Sequence, residues 1–202
     1  MSELPPRTVT VTGTATVAVR PDRATLNLGV QAFGATAAEA MAAAAQRAAA
    51  LVGALRGAGA TDEDLRTTGL NLWFDQHERR FVAGNQLMVG VPVDAVGDHI
   101  DAAARAAGDQ FTLNGVSFSI SDSGPHVANL RADALADARQ KAVALAEAEN
   151  AAVGEAFTIV EGAGSRPVPV AKARGAMLAM DMPVEAGADS ISLSVTVTYA
   201  LR

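Results

Sequence analysis

The two ends of the chain carry the same strict alternation of hydroxyl and apolar side chains. Near the start, "TVTVTGTATVAV" places threonines on one side and mainly valine and alanine on the other, and near the end "SISLSVTVTYAL" alternates serine and threonine with larger apolar residues. Because successive side chains of a strand point to opposite faces, a period of two predicts strands with one buried and one hydroxyl-lined face. Such strands are typical of antiparallel sheets that are covered on a single side.

The segment after the first strand combines a second strand with a helix. Pro21 and Asp22 predict a turn into "RATLNLGVQAF", so the first two strands are expected to form a hairpin. The following "TAAEAMAAAAQRAAALVGALRG" has helical spacing, and Thr36 with Glu39 predicts a capping box in its first turn. The glycines of "GAG" after this stretch predict the end of the helix.

The rest of the chain continues the alternation of strands and helices. A strand carrying Leu70, Leu72 and Phe74 is followed by the charged connection "DQHERR" and a return strand, and Asp94 is expected to cap a shorter helix that ends at Gly108. A strand in "FTLNGVSFSISD", a long helix over residues 123–151, a strand in "GEAFTIVEG" and the final strand complete the order β-β-α-β-β-α-β-α-β-β.

This order predicts the fold class. Residues 23–121 form a β-α-β-β-α-β unit of the split, ferredoxin-like type. The predicted class is therefore α+β, an antiparallel sheet with helices packed on one face. We expect an N-terminal tail at 1–7 and a single domain over 8–202, with an extended arm rich in proline and methionine at about 163–188.

Charge and composition argue against several classes of function. The formal net charge is −6, and the chain has only two lysines, Lys141 and Lys172. A nucleic-acid binder needs a basic stripe that replaces phosphate counterions, so neither nucleic acid nor an anionic membrane is an expected partner. The alanine-rich stretch at 37–55 contains charged residues and is a poor candidate for a membrane span. The absence of cysteine excludes thiol catalysis and disulfides.

The N-terminal stretch was compared with the features of a secretory signal, because these decide the expected cellular location. "MSELPPRTVTV" has neither the basic nor the apolar region of a secretory signal. The expectation is a cytoplasmic protein if Met1 is the native start, and a periplasmic or envelope protein if a signal peptide was removed.

No set of residues predicts an active site. His77 lies between Asp75 and Glu78 in "DQHERR", and a solvated hairpin tip is the preferred interpretation over a general base. His99 has aspartates nearby but lacks a ligand partner at helical spacing, so we expect a surface histidine, and His126 is expected to be exposed in the first turn of the long helix. We predict no catalytic residues and no cofactor.

The acidic run Asp62, Glu63 and Asp64 has an ordinary interpretation too. Consecutive carboxylates without a glycine turn do not form a calcium loop, so we interpret the run as a solvated helix start. The glycines of "GALRGAGA" lack the context of a dinucleotide site, and there is no P-loop lysine.

The segment "RPVPVAKARGAMLAMDMPVEAGADS" follows neither a helical nor a strand period although it is apolar. Irregular connections of this length are uncommon and usually functional, and contiguous apolar surface usually marks a partner site. We therefore expect the arm to dock on a neighbouring subunit, with folding back over its own sheet as the alternative. The predicted interface residues are Val168, Val170, Met177, Leu178, Met180, Met182 and Val184 in the arm, and Trp73, which is expected on the face opposite Leu72 and Phe74.

The methionines of the arm suggest a second function. Met177, Met180 and Met182 carry thioethers, which favour soft ions such as Cu(I). No cysteine or nearby histidine completes a ligand set, and methionine is more often an adaptable apolar residue. A small-ligand or copper-binding module is therefore the alternative to an interaction protein, and no metal site is predicted.

Several segments together resemble a known family. "VTVTGTATVAVRPDRATLNLGVQAFGATAAEA", "DLRTTGLNLW", "LNGVSFSISD", "ADARQKAVALAEA" and "PVEAGADSISLSVTVTYAL" are similar to the SIMPL-domain family, in family order from Thr8 to Leu201. This family includes the YggE-like bacterial proteins and the periplasmic immunogenic protein of Brucella. The resemblance implies an α+β domain that often assembles into ring-like or cylindrical oligomers, without established catalytic residues and with links to oxidative stress and the cell envelope. The predicted function is thus a non-enzymatic, self-assembling, stress-associated scaffold.

Overall fold

The structure is a computed structural model that describes residues 7–162, 168–169, 187 and 189–202. Most of the predicted arm lies outside the described residues. The described residues form three α-helices and eight strands. In chain order they are β1 (Thr8–Val19), β2 (Arg23–Gly34), α1 (Ala37–Gly57), β3 (Leu65–Asp75), β4 (Arg80–Pro92), α2 (Val96–Ala107), β5 (Phe111–Ser119), α3 (Gly124–Ala148), β6 (Val153–Glu161), β7 (Val168–Pro169) and β8 (Asp189–Leu201). The predicted α+β class is confirmed, although the strands form two antiparallel sheets rather than one.

The chain divides into two compact units. The first unit contains β1, α3, β6, β7 and β8, and the second contains everything from Pro21 to Ser121. Each unit has its own four-stranded sheet.

Strand β8 lies at the centre of the first unit and joins the two alternating ends of the chain. It pairs with β1 from Thr8–Ala200 to Val19–Asp189 and with β6 on its other side. On the exposed face, hydroxyl groups bond across the strands, as between Thr10 and Thr198, whose oxygens are 2.9 Å apart. The opposite face is covered by α3 and forms the core of this unit, through Ile191, Leu193, Val195, Val197 and Tyr199.

Helix α3 packs unusually close to β1 because both contribute small residues. Ala134 and Ala138 of the helix are fully buried, and both lie against Gly13 of the strand. A Cβ atom on Gly13 would lie 2.6 Å from the Ala138 nitrogen and 2.7 Å from its Cβ. The alanine-rich composition of α3 is therefore what allows the helix backbone to approach the sheet.

The outer edge of β1 is closed by side chains of the same helix. The Lys141 ammonium donates to the carbonyl oxygen of Thr12 at 3.0 Å, and the Thr14 N–H donates to the Asp137 carboxylate at 2.7 Å. Lys141 and Asp137 also form an ion pair at 2.7 Å. Backbone groups that would otherwise offer a template to another strand are thus occupied by charged side chains.

The second unit has the strand order β3-β4-β2-β5, with α1 and α2 packed on the sheet. This order is that of a split β-α-β-β-α-β unit, so the ferredoxin-like prediction for residues 23–121 is confirmed. Strand β2 is central and supplies five apolar residues that are almost fully buried: Ala24, Leu26, Leu28, Val30 and Ala32. The capping box predicted at Thr36 and Glu39 is also present.

The predicted hairpin of β1 with β2 is wrong. The two strands belong to different sheets, β1 pairing with β8 and β2 with β4 and β5. The reason lies at Asp22, whose N–H donates to the Ser119 carbonyl and whose carboxylate accepts bonds from the N–H and hydroxyl of Ser121. These bonds hold the chain against β5 directly after Pro21, so no turn back onto β1 forms.

The predicted cap at Asp94 is wrong as well. Residues Val93–Ala95 form a single 3-10 turn, and α2 begins after it without a side-chain cap. Gly108, with φ of 59°, ends this helix as expected.

Substitution of Gly13 tests the close approach of α3 to β1. We expect Gly13→Ala to lower the free energy of unfolding by about 3 kcal/mol, because the new Cβ overlaps the helix backbone. Gly53→Ala is the matched control: Gly53 lies within α1 with nothing near its missing Cβ, so the alanine should add about 0.5–1 kcal/mol. Denaturant unfolding measures both, and equal effects of the two variants would contradict the packing.

Asp137→Asn tests the closed edge of β1. Hydrogen bonds from Lys141 and from the Thr14 N–H lower the pKa of Asp137. A carboxyl group whose pKa is lower in the folded state stabilises that state above its unfolded pKa, about 3.9, and this contribution is lost as the pH falls through the folded value. We therefore expect Asp137→Asn to lower Tm at pH 7 and the difference from wild type to shrink as the pH falls below about 3.9. Asp133→Asn, at an exposed position of α3, is the control, and a difference that does not change with pH would contradict the assignment.

Candidate interaction surface

The tip of the β3–β4 hairpin has the solvated arrangement expected from its sequence. His77 is exposed, and the N–H groups of His77 and Glu78 donate to the same Asp75 oxygen at 3.0 and 3.1 Å. The Asp75 carboxylate therefore stabilises the turn, and it does not orient His77 as a general base.

The surface position predicted for His99 is wrong. Only 2% of this residue is exposed, its Nδ1 lies 2.7 Å from the Ala95 carbonyl oxygen, and its Nε2 is buried without a partner among the described residues. The cause is helical phase: His99 follows Val96 by three residues and precedes Ala103 by four, and both belong to the buried stripe of α2. His126, expected to be exposed, is half-buried.

The acidic run before β3 is a turn, and the predicted helix start is wrong. Asp62 and Glu63 are exposed, whereas Asp64 accepts bonds from the N–H and hydroxyl of Thr61 and from Arg23. The two bonds from Thr61, followed by that from Arg23, lower the pKa of Asp64. Asp64 thus joins the start of β3 to the start of β2, which is a structural role.

Two shallow depressions in the described part of the chain have volumes of about 230 and 270 Å³, which is smaller than ordinary ligand pockets of roughly 300–1,000 Å³. Across residues 7–162 and 189–202, no three His, Asp or Glu side chains are grouped so that they could hold a metal ion. The helices in the same ranges include none that is long and apolar enough to span a membrane.

Exposed apolar side chains are concentrated on strand β3, and we call these residues the β3 patch. Leu70 is 73% exposed, and Leu72, Trp73 and Phe74 are each more than 40% exposed. The pairing with β4 places Trp73 opposite Val82, on the other face from Leu72 and Phe74, as predicted. Among the described strands, none pairs with the outer edge of β3.

Two contacts involve aromatic rings on β3 and on the strands of the same sheet. The rings of Phe74 and Phe81 meet edge to face with centroids 5.0 Å apart, and the Arg80 guanidinium lies 3.9 Å from the Phe33 ring centroid. These contacts order one side of each ring while Phe74 and Phe33 remain partly exposed.

A second apolar surface, on strand β6, was not predicted from the sequence. Phe157, Ile159 and Val160 are each about 60% exposed, and we call them the β6 patch. Pairing with β8 places Ile159 opposite Val197 and Val160 opposite Thr196, so both faces of β6 carry an exposed apolar residue. The segment "AFTIV" has apolar residues at four of its five positions and lacks the strict alternation of β1 and β8, and this was the available signal.

The predicted interface in the arm lies almost entirely outside the described residues. Val168 belongs to β7, whose backbone pairs with Ser190 and Asp189 of β8. The remaining predicted interface residues, namely Val170, Met177, Leu178, Met180, Met182 and Val184, are not described. The interface and the copper site at these positions both stay predictions. The copper alternative can be tested by measuring Tm with and without Cu(I). If the methionines bind copper, Cu(I) should raise the Tm of the wild type, and replacing the three methionines with leucine should abolish that rise.

Fold and surface together define an α+β protein with apolar edge strands and no evident catalytic cluster in its described part. The SIMPL family, described as "Protein of unknown function (DUF541)", matches residues 9–199. The chain therefore belongs to the SIMPL family, which confirms the resemblance seen in its sequence.

Two curated relatives are similar over nearly the whole chain. They are the 26 kDa periplasmic immunogenic proteins of Brucella melitensis biotype 1 and Brucella abortus strain S19. Each is 28% identical over 218 residues, covering 98% of this chain and 86% of the relative.

Proposed function

We propose that this SIMPL-family protein is a non-enzymatic, self-assembling scaffold that forms a ring-like or cylindrical homo-oligomer and acts in the stress response of the bacterial envelope. The observation that carries the proposal is the β3 patch. Its four large side chains lie on one edge strand whose outer backbone groups are unpaired among the described strands. Burial of apolar surface contributes roughly 25 cal/mol per Å², so an aromatic-rich edge of this kind favours association.

The described side chains support a binding role over catalysis. Catalysis by side chains needs titratable groups that converge on a cavity. The carboxylates with the clearest structural roles here, Asp64, Asp75 and Asp137, are each held by backbone or neighbouring groups. Aromatic residues enriched at a surface are instead a mark of protein interfaces.

The names of two relatives support a proposal for the cellular location. Both Brucella relatives are named as periplasmic proteins. We propose the same compartment for this chain, with the cytoplasm as the alternative. The exposed hydroxyl rows of β1 and β8 would then line the outer surface of each subunit or the lumen of the assembly.

The arm at 163–188 is proposed as a further contact between subunits. Its prolines, Pro167, Pro169 and Pro183, restrict the free chain and so reduce the conformational entropy that docking must overcome. Its valines and methionines would supply the apolar contacts.

Leu70→Lys tests the β3 patch. A charge at this position costs little in a free subunit because Leu70 is already mostly exposed, but it would be buried in an assembly. We expect at least a roughly tenfold weaker association, seen as a lower mass in light scattering and as red-shifted emission of Trp73, the single tryptophan.

Met41→Lys is the matched control for that experiment. Met41 is 56% exposed on α1 and is not part of the β3 patch, so the lysine should leave mass and emission unchanged. Circular dichroism verifies that both variants are folded. A wild-type protein that is monomeric at high concentration would overturn the proposed function.

Replacing residues 164–186 with a short linker tests the arm separately. If the arm docks between copies, the truncated protein should have a lower mass in light scattering and a smaller particle in negative-stain electron microscopy. An unchanged mass with an intact fold would show that the arm does not contribute to assembly.

A further inference from the structure

We propose that His99 makes the docking of helix α2 sensitive to pH: α2 stays packed in the second unit while the imidazole is neutral, and it opens when the ring is protonated. This role is separate from the proposed self-assembly, because it depends only on groups within one copy. It follows from the burial of the ring, the hydrogen bonding of its two nitrogens and the charges around it.

The ring of His99 lies on the buried face of α2. Only 2% of the residue is exposed, and the same face carries Val96, Ala103 and Ala107, which are buried to a similar degree. These three neighbours belong to the apolar core of the second unit, together with side chains from α1, β2 and β4. Solvent therefore reaches almost none of the imidazole while α2 is docked, and a charge on the ring would have to be buried with it.

Hydrogen bonding determines which ring nitrogen carries the proton. Nδ1 of His99 lies 2.7 Å from the carbonyl oxygen of Ala95, and a carbonyl can only accept, so Nδ1 is the donor. In the neutral ring, Nε2 then has a lone pair and no proton. This Nε2 is buried and finds no hydrogen-bond partner in the part of the chain that the structure describes. Protonation would turn it into a buried N–H donor without an acceptor, on a ring that now carries a positive charge.

Among the described residues, no charged group near α2 bonds to His99. The helix packs on α1, β2, β5 and the short turns at its two ends, residues 93–95 and 108–110. The charged side chains of α1 and β2 that have a partner are bonded elsewhere: Arg56 to Asp62, Arg23 to Asp64 and Glu39 to the Thr36 N–H. Strand β5 has no charged residue.

The other charged groups of α2 and its surroundings are not in contact with the ring nitrogens either. They are Arg47 on α1, Asp94 and Asp109 in the two turns, and Asp98, Asp101 and Arg105 on α2 itself. The aspartates among them are exposed, except that Asp101 also forms an exposed ion pair with Arg105. A carboxylate that could stabilise a protonated ring in place is therefore not provided by these elements.

The position of His99 along α2 acts in the same direction. It is the fourth residue of the helix, close to the end at which free backbone N–H groups carry a partial positive charge. This end has no side-chain cap. A positive ring at this position is repelled by the helix, so protonation weakens an end that is already poorly held.

Helix α2 has little else to keep it docked. It has 12 residues, and its fully buried side chains are His99, Val96 and two alanines. Helices of this length are marginal without tertiary packing, so a cost at His99 favours local opening of α2. In the open state the exposed imidazole binds a proton near pH 6.5, as in a free peptide. Because the closed state binds none, the equilibrium constant for opening rises by at most roughly tenfold for each pH unit below that value.

Amide hydrogen exchange of the wild type measures this opening directly. Between pH values of about 7.5 and 5.5, and after correction for the intrinsic pH dependence of exchange, the amides of α2 should lose roughly tenfold in protection. The amides of α3, which lies in the first unit, should keep theirs. Protection of α2 that does not change with pH would overturn the proposal.

Substitutions assign the effect to His99. His99→Leu has no titrating group, and His99→Asn also keeps a donor for the Ala95 carbonyl, so both should abolish the tenfold change whatever they do to overall stability. His126→Asn, at a half-buried position of α3, is the matched control and should retain the change. A pH effect on α2 that persists in both His99 variants would show that another group is responsible.

NMR of the wild type provides a test that needs no folded variant. The ring signals of His99 should keep their neutral position for as long as the α2 amides remain protected. A ring that becomes protonated while α2 stays closed would overturn the proposal.

The outcomes are distinguishable from those for the proposed function. A wild type that is monomeric at high concentration but shows the pH-dependent opening of α2 would overturn self-assembly and support the role of His99. An assembled wild type in which α2 is protected equally at both pH values would do the reverse.

Discussion

Backbone hydrogen bonding at the sheet edges is the constraint on which the rest of this structure depends. A four-stranded sheet leaves two rows of N–H and C=O groups unpaired, and an unprotected row is a template for another strand. In the first unit the two rows differ, since Lys141 and Asp137 occupy the edge of β1, whereas β6 carries exposed apolar side chains and has two register shifts in its pairing with β8.

The choice of small residues for the interior has a consequence for the surface. Gly13 and the alanines of α3 let the helix backbone lie against the sheet, so the core needs little aromatic volume. Of the eight aromatic residues, only Tyr199 is fully part of a core, whereas Phe33, Trp73, Phe74 and Phe157 are substantially exposed. Exposed aromatic rings of this kind are enriched at protein interfaces.

Local patterns predicted the secondary structure well because they depend on neighbouring residues. The capping box at Thr36 and Glu39 and the split unit of the second sheet could be read from spacing and order alone. The pairing of strands could not be predicted in this way, because the alternation in β1 indicates that one face is buried but does not indicate which strand lies beside it. The burial of His99 could be missed for a related reason: its flanking aspartates suggested solvent, while its helical phase with Val96 and Ala103 placed it inside.

For a similar reason, the exposure of the apolar side chains on β6 could not be predicted from the sequence. Whether an apolar run becomes a core strand or an exposed edge is decided by how far the covering helix extends, and α3 packs mainly on β1 and β8. Each unit therefore carries an exposed apolar strand, β3 in the second unit and β6 in the first. A single twofold contact stops at a dimer, so the ring or cylinder proposed above would require at least two different contact surfaces on each copy.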